Sequence, residues 1–302
     1  MLAKKSKSSL RLGLVLAFIA ILTLSCFSPT ATLPAQSSLI PAAEYPTPQP
    51  SPPVTVTVDI GPTQISPNDG MVMVYVPAGE FLMGSDKVKD NQAEKNELPQ
   101  HTVYLDAFWI DQTEVTNTMY GWCVKDQFCP LPPSSSSEKR LSYFGNSKFA
   151  NYPVVNVLWS DAQTYCSWVG RCLPSKAEWE KAARGTDGRI YPWGDVIDCA
   201  HANYHGCTGD TTAVGSYPAG ASPYGALDMA GIVEEWVADW YDAAYYRNSP
   251  ARNPTGPSSG GQRVFRGGSF LQYDFAVRSA WRVGEFPHDP GTLHGFRCAS
   301  SP

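Results

Sequence analysis

The stretch whose reading decides the fold is Arg263-Val264-Phe265-Arg266-Gly267-Gly268-Ser269, answered further on by Gly295-Phe296-Arg297-Cys298. The segment that follows Ser269, Phe270-Leu271-Gln272-Tyr273-Asp274-Phe275-Ala276-Val277-Arg278, contains no cysteine. Working outward, everything from Gly185 to this end reads as turns and short strands rich in Gly, Pro and Trp, without a long periodic segment.

Helix signals are clearest in the middle of the chain. Ser160-Asp161 opens a helix whose Ala162, Tyr165, Cys166 and Val169 share one face, and Gly170 ends it. Ser175-Lys176-Ala177-Glu178 is a capping box, with Ser175 reaching the backbone amide of Glu178 and Glu178 reaching back. The helix it starts buries Trp179, Ala182 and Ala183 and stops at Gly185. Upstream, Met71 to Phe81 reads as a strand and a turn, and His101 to Ile110 again as strand. Thr116 precedes a short helix carrying Met119, Tyr120 and Trp122. A few helices on irregular β structure make an α+β, loop-rich domain.

The 302 residues, 43% hydrophobic, suffice for a substantial core. The N-terminus carries Lys4, Lys5, Lys7 and Arg11 before an apolar, charge-free run from Leu12 to Leu24. That run is too short for a permanent membrane span and fits an export signal over residues 1–26. Leu22-Thr23-Leu24-Ser25-Cys26 resembles a bacterial lipoprotein box, departing from it at Thr23; lipidation at Cys26 and simple secretion are the two readings. Residues 27–68, including Pro46-Thr47-Pro48-Gln49-Pro50-Ser51-Pro52-Pro53, have the composition of a disordered tether, within which Val54 to Val58 alternates like a strand. The folded domain is expected over 69–302. Formal charge is −5, and losing the four basic residues of the signal leaves −9. Nucleic acid and anionic lipid surfaces are therefore not the expected partners, and the membrane enters only through a lipid anchor.

In their order, these motifs resemble the formylglycine-generating enzyme family, also called sulfatase-modifying factors. The resemblance covers about 71 to 299. It rests on Met71-Val72-Met73-Val74-Tyr75-Val76-Pro77-Ala78-Gly79-Glu80-Phe81-Leu82-Met83-Gly84, Glu114-Val115-Thr116-Asn117, Pro153 to Val157, Leu173 to Glu180, Tyr191-Pro192-Trp193-Gly194, Tyr224 to Gly231, and the closing signature. It implies a C-type-lectin-like architecture. Most of these positions are Trp, Gly and Pro that serve packing and turns, so they speak to fold more than to activity.

The resemblance also implies a copper ion held by a cysteine pair just after Gly-Gly-Ser. Here Ser269 stands where the family uses it beside the active site. Gln272 occupies the first cysteine position, and the second is deleted or replaced. Copper(I) requires soft thiolates, which a carboxamide does not replace, so copper is not expected. Glu234, where the family has Trp, turns that pocket from aromatic to acidic.

Family pairing implies a Cys166–Cys298 disulfide, closing a loop of more than a hundred residues and stabilising by roughly 4 kcal/mol. Cys123 with Cys129, and Cys199 with Cys207, would each clip a short loop. The second pair flanks His201 and His205, so a zinc site of two Cys and two His is the alternative there, against a spacing unlike known fingers and an oxidising compartment. With Cys26 removed, Cys172 is expected to be left over as a small buried hydrophobe.

Asp228-Met229-Ala230-Gly231-Ile232-Val233-Glu234-Glu235-Trp236 looks like the family's calcium loop. Its oxygens would come from the carboxylates of Asp228 and Glu235 and the carbonyls of Gly231 and Val233; turn capping by the two acids is the other reading. A second calcium loop would use Asn203, the carbonyl of Tyr204, Asp210 and the carbonyl of Thr212. The expected function is a tethered, non-catalytic binding or scaffold module. Its loops around Gln272, Tyr273, Asp274, Glu234 and Trp281 would take a peptide, glycan or protein. The competing expectation is an oxidase that converts a client sulfatase cysteine to formylglycine. A sulfoxide-forming oxidase is a third, and the extra N-terminal helical domain and His cluster it would need are absent from the sequence.

Overall fold

The computed structural model describes residues 61–302. The expected export signal, Cys26 and the Val54–Val58 strand lie outside the described residues. Strand β1 (Thr63–Ile65) falls inside the segment read as tether and pairs antiparallel with β2 (Val72–Val76). The first expected strand continues through the Pro77-Ala78 corner into β3 (Gly79–Met83). The second divides at Asp106-Ala107 into β4 (His101–Leu105) and β5 (Phe108–Asp111).

Three α-helices follow. In α1 (Asn117–Lys125), Thr116 Oγ1 caps the start by accepting from the Met119 amide at 3.2 Å. α2 (Trp159–Trp168) begins one residue before the expected opening, because the Asp161 carboxylate accepts from the Leu158 amide and fixes the first turn. α3 (Lys176–Arg184) has the expected capping box, with Ser175 Oγ and Glu178 Oε2 each accepting the other's amide, at 3.2 and 2.7 Å. Gly185 ends it at φ 69°.

The remaining strands are β6 (Glu234–Trp240), β7 (Arg263–Arg266), β8 (Val283–Glu285), β9 (His294–Phe296) and β10 (Ala299–Ser300). They form a sheet in the order β1-β2-β5-β10, a two-stranded ribbon β3-β4, and a sheet β8-β7-β6-β9. The last sheet is antiparallel except for β6 against β9, which run parallel. Three helices among short strands and long loops give the expected α+β, C-type-lectin-like architecture.

One core gathers β2 to β5, the inner face of α3 and Val237 around Trp179. The other packs α1, α2, Trp236, Phe265 and Phe296 around Tyr120 and Tyr165. Arg266 and Arg297 of the closing signature belong to this interior. Arg266 is fully buried, bonded to Glu180 Oε2 at 2.8 Å and to the carbonyl of Ala280 at 2.9 Å. Arg171 joins Asp69 and Asp111 in the same buried fashion. A buried charge needs a partner, and these pairs hold loops that have few backbone ladders of their own.

Cys123–Cys129, Cys166–Cys298 and Cys199–Cys207 are disulfides. The zinc alternative is overturned: both thiols are in the bond, His201 pairs with Asp198 at 2.7 Å, and His205 stacks on Tyr273. Cys172 is likewise not left over. It is disulfide-bonded, and its backbone bridges to Ala299 beside β10.

Candidate functional site

Successive side chains of a strand point to opposite faces, and β6 uses both. Glu234 and Trp236 face one side; Glu235 and Val237 face the α3 core. The parallel register sets Glu234 beside His294 of β9, with 3.6 Å between Glu234 Oε2 and His294 Nε2. His294 Nδ1 lies 3.0 Å from the Gly291 amide and 3.2 Å from the Asp289 carbonyl, which together orient the ring and leave Nε2 on the side of Glu234. Phe265 and Trp236 pack against the imidazole.

The turn after Gly-Gly-Ser closes onto this pair. Gly268 adopts φ 65°, and a Cβ there would lie 2.5 Å from the Ala276 carbonyl, so only glycine lets the turn fold back on residues 274–277. The Ser269 amide donates to Gln272 Oε1 at 2.8 Å, and Gln272 Nε2 donates to Glu234 Oε1 at 2.8 Å. Both ends of the carboxamide are engaged, and Ser269 Oγ is buried without a partner. Burial pushes the Glu234 carboxyl up to about 7 against the opposing effect of the Gln272 bond, and burial pushes the His294 imidazole down.

Beside this bonded floor the loop is open. The His205 amide donates to the Gln272 carbonyl at 2.8 Å, and its ring stacks on Tyr273 with centroids 4.1 Å apart. Tyr273 is 58% exposed, and Leu271 and Phe275 beside it are exposed too. Asp274 is partly buried and accepts from Gln92 at 3.3 Å. Trp281 does not belong to this surface. It is buried, its amide bonded to the Arg278 carbonyl, because Arg266 gathers the carbonyls of Ala280 and Trp281 into the interior.

Around Ser269 the donors are a carboxamide, a carboxylate and an imidazole, and no cysteine among the described residues is free. That set does not fit copper(I), which wants thiolates.

The first expected calcium loop has a different geometry from its simplest reading. Glu235 is fully buried, and Arg297 holds both its oxygens in a bidentate pair at 2.7 Å each, with Trp179 Nε1 donating to Oε2 at 2.8 Å. Asp228 Oδ2 accepts from the Gly215 amide at 2.6 Å, while Oδ1 is buried and unpartnered. Both oxygens of Glu114 are buried and unpartnered as well. Burial pushes both carboxyls up, helped at Glu114 by the charges of Asp228 and Glu235 and at Asp228 by that of Glu235, while Arg297 opposes both; a bond between Glu114 and Asp228 exists only if one carries a proton. Among the described residues no three acidic, imidazole or thiol side chains already converge as a cage. The orphaned oxygens of Glu114 and Asp228 nevertheless fit a hard cation, which would neutralise the pair. Glu114 entered the sequence reading only as part of a motif; nothing local marked it as facing Asp228.

The second loop touches the first. Gly231 pairs with Asn203, and a Cβ on Gly231 would lie 2.1 Å from the Asn203 carbonyl, which accepts from the Ile232 amide. Asn203 Nδ2 donates to the Asp210 carbonyl and its Oδ1 accepts from the Thr208 amide, closing the loop on itself. The Asp210 carboxylate faces Arg140 at 3.2 Å, and Tyr204 and Thr212 flank these two. Asn203 and Asp210 are brought together, with Arg140 supplying the positive charge there.

The sulfatase-modifying factor enzyme 1-like domain model matches residues 60–302. The chain is 36% identical over 240 residues to the serine/threonine-protein kinase pkn1 of Chlamydia caviae, covering 75% of this chain and 37% of that protein. It is 34% identical over 281 residues to the formylglycine-generating enzyme of Streptomyces coelicolor, covering 75% of this chain and 88% of that one. The solved structure of PvdO from Pseudomonas aeruginosa superposes with a TM-score of 0.70 at 26% identity, over 81% of this chain and 99% of that chain. Against the chlamydial relative, the chain thus spans well under half of the partner's length.

Proposed function

We propose that this chain, which belongs to the sulfatase-modifying factor enzyme 1-like family, works as a non-catalytic binding or scaffold module and not as a copper oxidase. One observation carries the reading: the Gln272 carboxamide bridges Ser269 and Glu234 where the family resemblance places a thiol. An amide and a carboxylate bonded to each other satisfy each other and leave no soft donor for copper(I). Above them, Tyr273 on His205, with Leu271 and Phe275, offers an exposed aromatic and apolar face for a peptide, a glycan or a partner protein.

Calcium has a structural role in this reading, held by Glu114 and Asp228 with the Gly231 and Val233 carbonyls of the same loop, while Glu235 stays with Arg297. The Asn203, Tyr204, Asp210 and Thr212 loop is stabilised by Arg140 instead. The disulfides accord with an exported domain, and among the described residues no helix is long and apolar enough to cross a membrane. Anchorage through Cys26 is part of the proposal. Mass spectrometry of the membrane-extracted protein tests it: an N-terminal peptide that begins at Cys26 and carries acyl chains is expected, and an unlipidated N-terminus would overturn the anchor.

The oxidase alternative is tested by supplying the purified chain with copper(I), oxygen and a cysteine peptide of the sulfatase type. The expected result is an unchanged thiol; conversion to the aldehyde over many turnovers would overturn the reading. On the binding side, Tyr273→Ala is expected to abolish capture of any peptide or glycan that the wild-type chain retains.

A further inference from the structure

A second region of the molecule is built as a site without belonging to the one above. A cleft of about 530 Å³ opens between the segment containing Lys87 and Asn96 and the turn containing Ala243 and Arg247. Lys87, Lys95 and Arg247 line it with Glu94, and none of these cations makes an ion pair among the described residues. In a chain of formal charge −5, this is a local excess of positive charge.

A buried arginine behind the lining reinforces it. Arg282 is buried, and its Nε donates to the Asn96 carbonyl at 2.9 Å; its Nη atoms reach the carbonyls of Asp242 at 3.0 Å and Ala243 at 3.3 Å. One guanidinium thereby ties both walls together. Asn96 Nδ2 adds bonds to Tyr241 Oη and the Arg282 carbonyl, each at 2.9 Å. Arg282 has rings and carbonyls around it, Tyr246 at 4.1 Å and Tyr241 at 5.3 Å, and no carboxylate partner. Its charge is spread over carbonyl dipoles but not cancelled, and a concave low-dielectric wall focuses that field outward.

We propose that this cleft binds the oxyanion group, sulfate, phosphate or carboxylate, of a small ligand. The rigid walls fix the approach, and Lys87, Lys95 and Arg247 supply donors from the rim. The volume falls in the range of small-molecule clefts, enough for a sugar unit carrying the anion. Glu94 sets the selectivity: it disfavours a second anionic group on the ligand's near side.

The test titrates the purified full chain with sodium sulfate, sodium phosphate and a monosulfated disaccharide at constant ionic strength, reading binding by calorimetry. Saturable binding of at least one is expected. Removing two exposed cations in Lys95→Ala/Arg247→Ala weakens it about five- to tenfold, and Glu94→Gln tightens it about twofold. The opposite signs separate loss of the site from loss of the fold. Binding of the inorganic ions as tightly as the disaccharide assigns recognition to the anion alone; preference for the disaccharide assigns part of it to the sugar. No saturable binding of any of the three, or an affinity unchanged in the double variant, overturns the proposal.

Discussion

Gln272 Nε2 donates to Glu234 Oε1 across 2.8 Å, joining the turn after Ser269 to the first residue of β6. The same side chain accepts from the Ser269 amide, so it satisfies a donor and an acceptor at once. Gln272→Ala leaves both unpaired in a part-buried site, and the expected loss is about 1–2 kcal/mol of folding stability. Urea unfolding measures it. A loss within error of zero would mean that water replaces the carboxamide and that the turn is not held by it.

Glu234 also gives stability a pH dependence. Its carboxyl is raised to about 7 in the folded chain, so the folded state holds the proton more tightly than the unfolded state. The contribution is complete below the ordinary glutamate range and is lost as pH rises through about 7. Glu234→Gln keeps the acceptor for Gln272 and removes the titration. Compared at pH 5 and pH 8, the variant's stability is expected to fall less than wild type, by up to about 3 kcal/mol. Parallel pH curves for the two chains would contradict this.

Calcium is expected to raise the melting temperature, because it neutralises Glu114 and Asp228 only in the folded state. At a hundred times the dissociation constant the gain is about 2.7 kcal/mol. In chelator, Glu114→Gln is expected to stabilise at neutral pH by relieving the repulsion, and to abolish the response to calcium. A calcium response retained in that variant would move the ion elsewhere.

The disulfides separate by loop length. Cys166→Ala/Cys298→Ala opens a bond between residues 132 apart, and the expected loss is about 4–5 kcal/mol. Cys123→Ala/Cys129→Ala opens one between residues 6 apart, with about 2 kcal/mol expected. Equal losses would point to packing rather than chain entropy as the source.

Local chemistry was legible in the sequence where it acts over a few residues. The Ser175 capping box, the Thr116 cap and the Gly185 stop depend on neighbours three or four positions away, and all three stand in the structure. The buried charges of α3 were not legible. Its expected inner face was apolar, yet Lys176, Glu180, Lys181 and Arg184 are buried too, because Asp239, Arg266 and the carbonyls of β3's approach meet them from distant segments. The candidate site shows the same division. Gln272 and Glu234 could be named from aligned motifs, whereas His294 depends on the β6–β9 register and Glu114 on a loop crossing. Trp281 shows the converse: an aromatic near the signature reads as surface, while Arg266 draws its segment inward.

The central claim is that the pocket beside Ser269 has exchanged copper chemistry for a hydrogen-bonded contact surface. The most direct measurement is a copper(I) titration of the fully oxidised chain against a competing chelator. The account predicts no stoichiometric site able to withdraw copper from the chelator, in wild type and in Gln272→Ala alike. A one-to-one tight site that weakens when Ser269 or Gln272 is substituted would contradict it.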